Sequence, residues 1–349
     1  MEPDGPERDP VAVLDLARIE GARRHLTDRV HVTPILGSAS AARVAAEASG
    51  RRLADDRLLC KAEHLQKTGS FKVRAALAKL AALPETARRA GIVTVTAGNA
   101  GQAYAWAART AAIPATIVMP LDAVGAKVEA CRGYGAEVVL AGRHVGETFE
   151  AADRLVRERG LTFCHPFDDP DVIAGNGSLG LEILEAVPDL DVLVVPVGGG
   201  GLVSGIAAAV RQRAPGVRVY GVEPEGSNAV ALARAAGHPV EIVPRSVADG
   251  LGAPHAGMWT TPLVRHYLED IVLVSDTEIL AALRFALERT KQVLEPAGAA
   301  GLAALLAGRI PYRDGERVVV VLSGGNVDLA ALARLLDAAP GSAAGRAET

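Results

Sequence analysis

Aromatic residues and cysteines are scarce in this chain of 349 residues. Phe, Trp and Tyr together make up 3% of the sequence, so the core must be built from Ala, Val, Leu and Ile. The three cysteines, Cys60, Cys131 and Cys164, are far apart and lack the short spacing of metal ligands. So few cysteines, and an odd number of them, argue against a disulfide framework. We therefore expect a cytoplasmic protein with three buried thiols.

Long apolar runs and an excess of either charge are also missing. The apolar runs, such as residues 318–322, are far shorter than the about 20 residues that a membrane span needs. The formal net charge is −4, and arginines alternate with acids, as in residues 153–159. Because this leaves no basic patch, we expect neither nucleic acid nor a membrane surface among the partners.

Short apolar runs alternate with alanine-rich amphipathic segments over most of the chain. Several of the runs are continuous Val, Leu and Ile, which is typical of parallel strands covered by helices on both faces. The predicted strands are residues 58–62, 91–95, 115–119, 136–141, 162–164, 192–197, 217–222, 271–274 and 318–322. The predicted helices are residues 73–83, 101–112, 147–159, 202–213, 276–290, 297–307 and 328–338. This pattern predicts a doubly wound α/β protein with a parallel sheet and two lobes.

Polar or glycine-rich segments follow four of the predicted strands. These segments are residues 96–102, residues 198–201, Glu223 and residues 323–326. Ligands bind beyond the carboxyl ends of parallel strands. We therefore expect the four segments to converge on one site at the same edge of the sheet.

The longest glycine run, called here the glycine loop, comprises Gly198, Gly199, Gly200 and Gly201. Glycines between a buried strand and a helix let backbone N–H groups approach an anion closely, so the loop indicates a bound phosphate. That phosphate could belong to a dinucleotide, because Glu223 lies about twenty residues on, where dinucleotide-binding proteins have a ribose-binding acid. Val203 and Ser204 do not fit the G-x-G-x-x-G spacing, which argues against it.

Lys72 follows a Ser/Gly turn at the predicted start of a helix. A lysine can bond an aldehyde cofactor when its amine is unprotonated, and burial favours that state. Lys67 is a nearby alternative, and either lysine could instead be a solvated surface residue. One reactive lysine together with an anchored phosphate is what a protein needs to hold pyridoxal phosphate (PLP).

The segment KAEHLQKTGSFK at residues 61–72 closely resembles the cofactor-lysine motif of the threonine/serine dehydratase and serine racemase family. These are PLP-dependent enzymes of fold type II, the tryptophan-synthase-β-like group. The likeness continues in order along the chain, through residues 165–170, 173–178, the glycine loop, 221–225, 248–250, 290–296 and 323–326.

The resemblance implies roles for individual residues. Lys72 would hold PLP as an internal aldimine and then remove the α-proton of the substrate. The glycine loop would bind the phosphate, Asn99 would hydrogen-bond the phenolic oxygen, and Ser323 would face the pyridine nitrogen. The other residues implied at the cofactor are Phe71, Leu202, Gly250 and Glu295, and those implied at the substrate are Ser70, Thr96, Ala97, Gly98, Asn99 and Ala100.

The family resemblance also predicts the reaction. A neutral hydroxyl such as that of Ser323 keeps the pyridine nitrogen poorly protonated, which makes the ring a weaker electron sink and favours β-elimination over transamination. We therefore predict an ammonia-lyase that converts a small β-hydroxy amino acid, L-threonine or L-serine, to a 2-oxo acid and ammonia.

Two positions depart from the family pattern. Ala97 stands where the racemases present a serine hydroxyl, and a methyl group cannot transfer a proton, so racemisation is disfavoured. Ala100 replaces a histidine beside the substrate, which leaves room for a bulkier or different β-substituted amino acid. Some members bind a cation through a glutamate such as Glu223. Here Ala229 stands where a second acidic ligand is expected, so a metal site is left open.

Other functions remain open from the residues. They are β-replacement or racemisation, an inactive PLP-binding homologue, and a nucleotide-binding oxidoreductase or sensor. The predicted organisation is a disordered tail at residues 1–20, a large PLP-binding domain at 21–88 and 166–338, a small domain at 89–165 and a flexible tail at 339–349. The family resemblance implies a homodimer.

Overall fold

The computed structural model describes residues 9–96, 98–143 and 145–338. Its strands are Ile35–Ser38 (β1), Leu58–Lys61 (β2), Ile92–Val95 (β3), Ala115–Met119 (β4), Glu137–Leu140 (β5), Thr162–Phe163 (β6), Val192–Pro196 (β7), Arg218–Pro224 (β8), Asp270–Val274 (β9) and Val318–Val321 (β10). The helices of the first half are Pro10–Val13 (α1), Leu16–Leu26 (α2), Ala39–Ser49 (α3), Lys72–Ala82 (α4), Glu85–Ala90 (α5), Asn99–Thr110 (α6), Gly125–Gly133 (α7) and Val145–Arg159 (α8). Those of the second half are Pro170–Ala186 (α9), Gly201–Arg213 (α10), Ala229–Ala236 (α11), Thr260–Tyr267 (α12), Asp276–Phe285 (α13), Pro296–Leu306 (α14) and Leu329–Ala338 (α15).

The larger sheet has six strands in the order β1-β2-β10-β7-β8-β9. All its pairs are parallel except β1–β2. At its centre Val320 lies between Cys60 on β2 and Val194 on β7. Alternate residues of β7 and β10 enter the cores on opposite faces of the sheet, which confirms the burial on both faces that the Val-rich runs predict.

The smaller sheet has four parallel strands in the order β5-β4-β3-β6. Helices α4, α6 and α7 contribute to the core on one of its faces, and α8 packs on the other. All four strands fall within residues 89–165. How the chain divides into a large and a small domain stays a prediction.

The expectation of a single sheet edge is wrong in one respect. The segment at 96–102 follows β3 of the smaller sheet, whereas residues 198–201 and 323–326 follow strands of the larger sheet and Glu223 lies near the end of its strand β8. Burial patterns show that a strand is covered on both faces, but they do not show to which sheet it belongs.

The predicted disorder over residues 1–20 is also wrong for the part that the structure describes. The Asp9 side chain accepts a hydrogen bond from Val11 N and caps α1, and Asp15 caps α2 in the same way. Leu14 and Ile19 are fully buried in the core against α9 and α10. The acidic and proline residues of this segment are helix-start signals. Residues 1–8 and the predicted tail at 339–349 lie outside the described residues.

Within the described ranges, no helix is both long enough and apolar enough to cross a membrane.

Candidate active site

Lys72 is the first residue of α4 and follows a turn in which Thr68 and Gly69 have positive φ angles of 61° and 71°. Its Nζ donates a hydrogen bond to the carbonyl oxygen of Pro166 at 3.2 Å and lies 5.2 Å from the ring centre of Phe71. Burial lowers the pKa of the Lys72 amine to about 8, although the nearby Glu295 carboxylate opposes this shift. At pH 7 about a tenth of the amine is therefore unprotonated, far more than of an exposed lysine.

The glycine loop joins β7 to the N-terminus of α10. A Cβ at Gly199 would lie 2.5 Å from the ring of Phe167, and one at Gly200, whose φ is +94°, would lie 2.8 Å from Thr260. Only glycine fits at these positions. The Thr260 hydroxyl donates to Gly199 O at 2.9 Å and holds the loop in place. The loop thus brings backbone N–H groups to the positive end of the 13-residue helix α10, which suits a phosphate.

Asn99 and Glu295 connect the two sheets. Asn99 is the first residue of α6, beside the smaller sheet, and its Nδ2 donates to Glu295 Oε1 at 2.5 Å. Its Oδ1 accepts from Asn326 Nδ2 at 3.0 Å. The segments at 96–102 and 323–326 therefore converge on one site, as expected, but from two sheets.

The Glu295 carboxyl group is 4% exposed. Burial raises its pKa to about 7, against the opposing influence of Lys127, the Asn99 amide and Lys72. Lys127 lies in the first turn of α7, and its amine donates to Asp249 Oδ2 at 2.8 Å. Two cations and two carboxylates thus surround the space between the sheets.

The remaining predicted cofactor residues lie around this centre. Gly250 packs against Gly198: the Gly250 carbonyl oxygen is 3.5 Å from the position of a Cβ at Gly198. Ser323 is 3% exposed at the carboxyl end of β10, and its carbonyl oxygen accepts from Phe71 N at 3.1 Å. Leu202 is 6% exposed in the first turn of α10.

The predicted substrate residues lie on both sides of the cleft. Ser70 is fully buried and pairs with Gly324 in an antiparallel bridge, and no described residue hydrogen-bonds its hydroxyl. Thr96 Oγ1 accepts from Gly98 N at 2.9 Å and shapes the turn after β3. Ala100 is 4% exposed. Ala97 lies outside the described residues.

A buried ionic cluster, called here the charge tetrad, lies behind the Lys72 turn and comprises Lys61, Glu63, Arg74 and Glu182. Arg74 donates two hydrogen bonds to Glu63 at 2.8 Å and pairs with Glu182 at 2.9 Å, while Lys61 pairs with Glu182. Burial opposes the ionisation of Glu63, but Arg74 and its other partners hold the pKa of Glu63 below the ordinary value. The tetrad connects β2, the segment between β2 and Lys72, α4 and α9.

Glu223, the candidate metal ligand, is fully buried, and both of its oxygens accept backbone N–H groups in the first turn of α11, from Val230 at 2.9 Å and from Ala231 at 2.8 Å. Burial raises its pKa to about 8. Glu223 therefore acts as a helix cap in this structure. Across the described residues, no group of three or more His, Cys, Asp and Glu side chains is placed to hold a metal ion.

Sequence reasoning missed three residues of this centre. Asn326 belongs to a motif of the family resemblance, from which no role for it follows, and Thr260 and Lys127 lie outside those motifs. Lys127 does carry a signal, because a cation in the first turn of a helix opposes the helix dipole and needs another reason to be there. Nothing local marks Thr260, which is 61 residues from the carbonyl that it holds.

The residues present fit PLP. The amine of Lys72 has a lowered pKa, the glycine loop forms an anion cradle that side chains would fill, and the buried hydroxyl of Ser70 has no partner among the described residues. Two α/β units with parallel sheets and this lysine–glycine arrangement define a PLP-dependent enzyme of fold type II. The chain belongs to the pyridoxal-phosphate dependent enzyme family, whose model matches residues 26–324.

Relatives within this family carry several activities. The chain is 42% identical over 327 residues to an L-threonine ammonia-lyase from Thermotoga maritima, covering 93% of this chain and 79% of that protein. It is 44% identical over 277 residues to an L-threo-3-hydroxyaspartate ammonia-lyase from a Pseudomonas species, covering 79% of this chain and 86% of that protein. Among solved structures, maize serine racemase matches with a TM-score of 0.85 and 34% identity, covering 93% of this chain and 97% of that one.

Proposed function

We propose that this enzyme is an ammonia-lyase that converts L-threonine or L-serine to a 2-oxo acid and ammonia. The observation that carries the proposal is the buried Lys72 amine, whose pKa is lowered to about 8 and which lies near the Glu295 carboxyl group that Asn99 contacts. The identity to an L-threonine ammonia-lyase supports threonine as the first substrate to test.

The cofactor would be held by residues already described. Lys72 would bind it covalently, the backbone N–H groups of the glycine loop would bind its phosphate, and Asn99 would donate to its phenolic oxygen. Ser323 would face its ring nitrogen, and Phe71, Leu202, Gly250 and Glu295 would border the ring. When bound, PLP supplies an electron-withdrawing ring that stabilises negative charge at the α-carbon of the substrate.

The protein's own residues would then carry the proton transfer and the positioning. A base works best when its pKa is close to the working pH, and the Lys72 amine meets that condition as acceptor of the α-proton. The Ser70 hydroxyl and residues 96–100 would hold the substrate carboxylate. The neutral Ser323 hydroxyl would favour loss of the β-substituent, because it does not strengthen the electron sink as a carboxylate would.

The test combines the absorption spectrum of the purified protein with an assay of released 2-oxo acid. The wild-type protein should be yellow with PLP and should release 2-oxo acid from L-threonine or L-serine. Lys72→Ala should abolish turnover, while Lys67→Ala, which changes a lysine outside the centre, should retain it. Release of 2-oxo acid by Lys72→Ala at the wild-type rate would contradict the proposal.

A second candidate is a dehydratase for a larger or differently substituted β-hydroxy amino acid. Two observations favour it: the small side chain of Ala100, which is buried at the start of α6, and the 44% identity to a hydroxyaspartate ammonia-lyase. Adding 3-hydroxyaspartate, phenylserine and the D-forms of threonine and serine to the same assay separates the two. A response to a larger substrate alone keeps the chemistry and changes the substrate, whereas interconversion of L- and D-serine would establish racemisation.

We also propose that the protein is a cytoplasmic homodimer with a small amino acid as its partner. The three free, buried cysteines are compatible with a reducing compartment. Light scattering coupled to size-exclusion chromatography would determine the mass in solution, and a monomer would contradict the assembly.

A further inference from the structure

The carboxamides of Asn326 and Asn99 and the carboxyl group of Glu295 form a row across the active site. Asn326 Nδ2 donates to the carbonyl oxygen of Thr68 at 2.7 Å and to Asn99 Oδ1 at 3.0 Å. Asn99 Nδ2 donates in turn to Glu295 Oε1 at 2.5 Å. The row begins at the turn that precedes Lys72 and ends at the buried Glu295 carboxyl group.

The contact between Asn326 and Thr68 determines which way each carboxamide in this row is turned. A backbone carbonyl oxygen can only accept a hydrogen bond, so the side of the Asn326 carboxamide that faces Thr68 must be its NH2 group. The same nitrogen contacts Asn99, and the Asn99 atom that faces it must therefore be the oxygen. The NH2 group of Asn99 is thereby directed toward Glu295. One of its two hydrogens goes to Glu295, which is its acceptor among the described residues, and the other is left for a ligand.

Asn326 is packed closely enough to impose this direction. Its carboxamide lies directly over Gly69, where a Cβ would collide with Oδ1. Gly325 N also donates to Gly69 O at 3.0 Å, which holds the segment at 323–326 against the Lys72 turn.

We propose that Asn326 is a positioning residue that fixes the Asn99 carboxamide with its NH2 group toward the phenolic oxygen of PLP. This inference rests on the proposed cofactor role of Asn99. Without Asn326 the Asn99 amide is oriented by Glu295 alone, so it rotates more easily and can present its oxygen to the cofactor. That rotation would replace a donor by an acceptor next to a negatively charged atom.

Two substitutions at position 326 separate positioning from simple packing. Asn326→Asp keeps the shape but offers only acceptors, so Asn99 must turn its NH2 group toward position 326 and its oxygen toward the cofactor. Asn326→Ala removes the contact and leaves Glu295 alone to orient the Asn99 amide. If Asn326 acts through orientation, the isosteric Asp variant is more damaging than Ala; if it only fills space, the order is reversed.

The experiment measures the dissociation constant for PLP and the visible absorption of the PLP-loaded protein. Asn326→Asp should weaken PLP binding by about tenfold or more, the loss of one hydrogen bond to a charged oxygen, and Asn326→Ala by about threefold. The Asp variant should also lose visible absorption to the near ultraviolet, because the phenolic oxygen then keeps its proton. Asn228→Asp, the same change at the start of α11, should leave both readouts unchanged.

A double-mutant cycle removes the remaining alternative, that the new charge at position 326 acts directly. In an Asn99→Ala background there is no amide to reorient, so the Asp and Ala variants at position 326 should bind PLP equally. A difference between them that persists there, or an Ala variant worse than Asp in the wild-type background, would overturn the role of Asn326 alone. A wild-type protein that stays colourless with PLP would overturn the proposed function and this inference with it.

Discussion

At the scale of single residues, the pKa of the Lys72 amine is determined more by its desolvation than by its partners. Its hydrogen-bond acceptor is a neutral carbonyl, that of Pro166, and the carboxylate that would favour the charged form, Glu295, is itself buried with a raised pKa. The neutral amine is therefore accessible at a pH where an exposed lysine is almost fully protonated.

The first prediction concerns the pH dependence of cofactor uptake. Only the unprotonated amine attacks the aldehyde, and its pKa is lowered from 10.5 to about 8, so the uptake rate should rise with pH through a midpoint about 8. Stopped-flow absorbance after mixing PLP with the apoprotein measures this rate. The Lys67→Met control should keep the midpoint, since the Lys67 amine is bound elsewhere, to Arg29 O. A midpoint near 10.5 would show that Lys72 is not desolvated.

The second prediction concerns Gly69. Its φ is +71°, and a Cβ there would also collide with the Asn326 carboxamide. Gly50 has a similar φ of +69° with nothing within 4 Å, so Gly50→Ala measures the backbone strain alone. We expect Gly50→Ala to lower the free energy of unfolding by about 1 kcal/mol and Gly69→Ala by at least 1 kcal/mol more. Urea denaturation measures the free energy of unfolding of both variants. Equal losses would show that the Asn326 side chain moves aside without an energetic cost.

At the scale of secondary-structure elements, the charge tetrad determines how the Lys72 turn is held. Both carboxylates and both cations are almost completely removed from solvent, so each depends on the others for its charge to be tolerated. A partly dismantled tetrad leaves an unpaired buried charge between α4 and α9.

The third prediction follows from that dependence. Arg74→Met should lower the free energy of unfolding by about 3–5 kcal/mol, whereas Arg89→Met, which breaks an exposed pair with Glu85, should change it by less than about 0.5 kcal/mol. Because the pKa of Glu63 is lowered, its contribution is complete above pH 4.5 and is lost as the pH falls through the folded-state pKa. Thermal unfolding between pH 3 and 7 checks the sign. Equal losses in the two variants would contradict this account.

Most strands but only seven of the fifteen described α-helices could be predicted from sequence, for reasons that differ between elements. Helix α9 was missed because it is buried over most of its length and has no polar face that would give an amphipathic pattern. The Val-rich strands β7 and β10 and the amphipathic helix α8 carry strong periodic signals. Strand β1 was missed because it is short, contains Gly37 and lies at the antiparallel edge. The turn that presents Lys72 could be found only through its motif, and the contacts of Thr260 and Asn326 are long-range contacts that no local pattern encodes.

At the scale of the whole molecule, polar contacts between side chains join the two sheets near the site. The Asn99–Glu295 hydrogen bond is one, and the Lys127–Asp249 ion pair is another. Asp249 is 61% exposed, so this pair contributes little to stability, but it joins α7 to the segment at residues 249–251. The exposed Lys127–Asp249 pair is therefore the contact that can be removed with the least effect on stability.

The fourth prediction tests this apposition. Lys127→Met should lower the free energy of unfolding by less than about 1 kcal/mol but raise the KM of the active substrate severalfold, because the cleft is held closed less often. It should also raise the pKa of Glu295, since Lys127 lowers it. Urea denaturation measures the free energy of unfolding, and steady-state kinetics measures the KM. Arg132→Met, which removes a cation from the same helix on its exposed side, is the control, and an equal rise in KM there would contradict the role of Lys127.

The reactivity of the three buried thiols reports when the structure around each of them opens. Burial raises the pKa of each to about 12, so none can react with a thiol reagent while the surrounding structure is closed. Cys60 lies in a core of the larger sheet, and Cys131 and Cys164 lie in that of the smaller sheet. Labelling kinetics resolved by mass spectrometry would therefore time the opening of the two lobes separately, without any introduced probe.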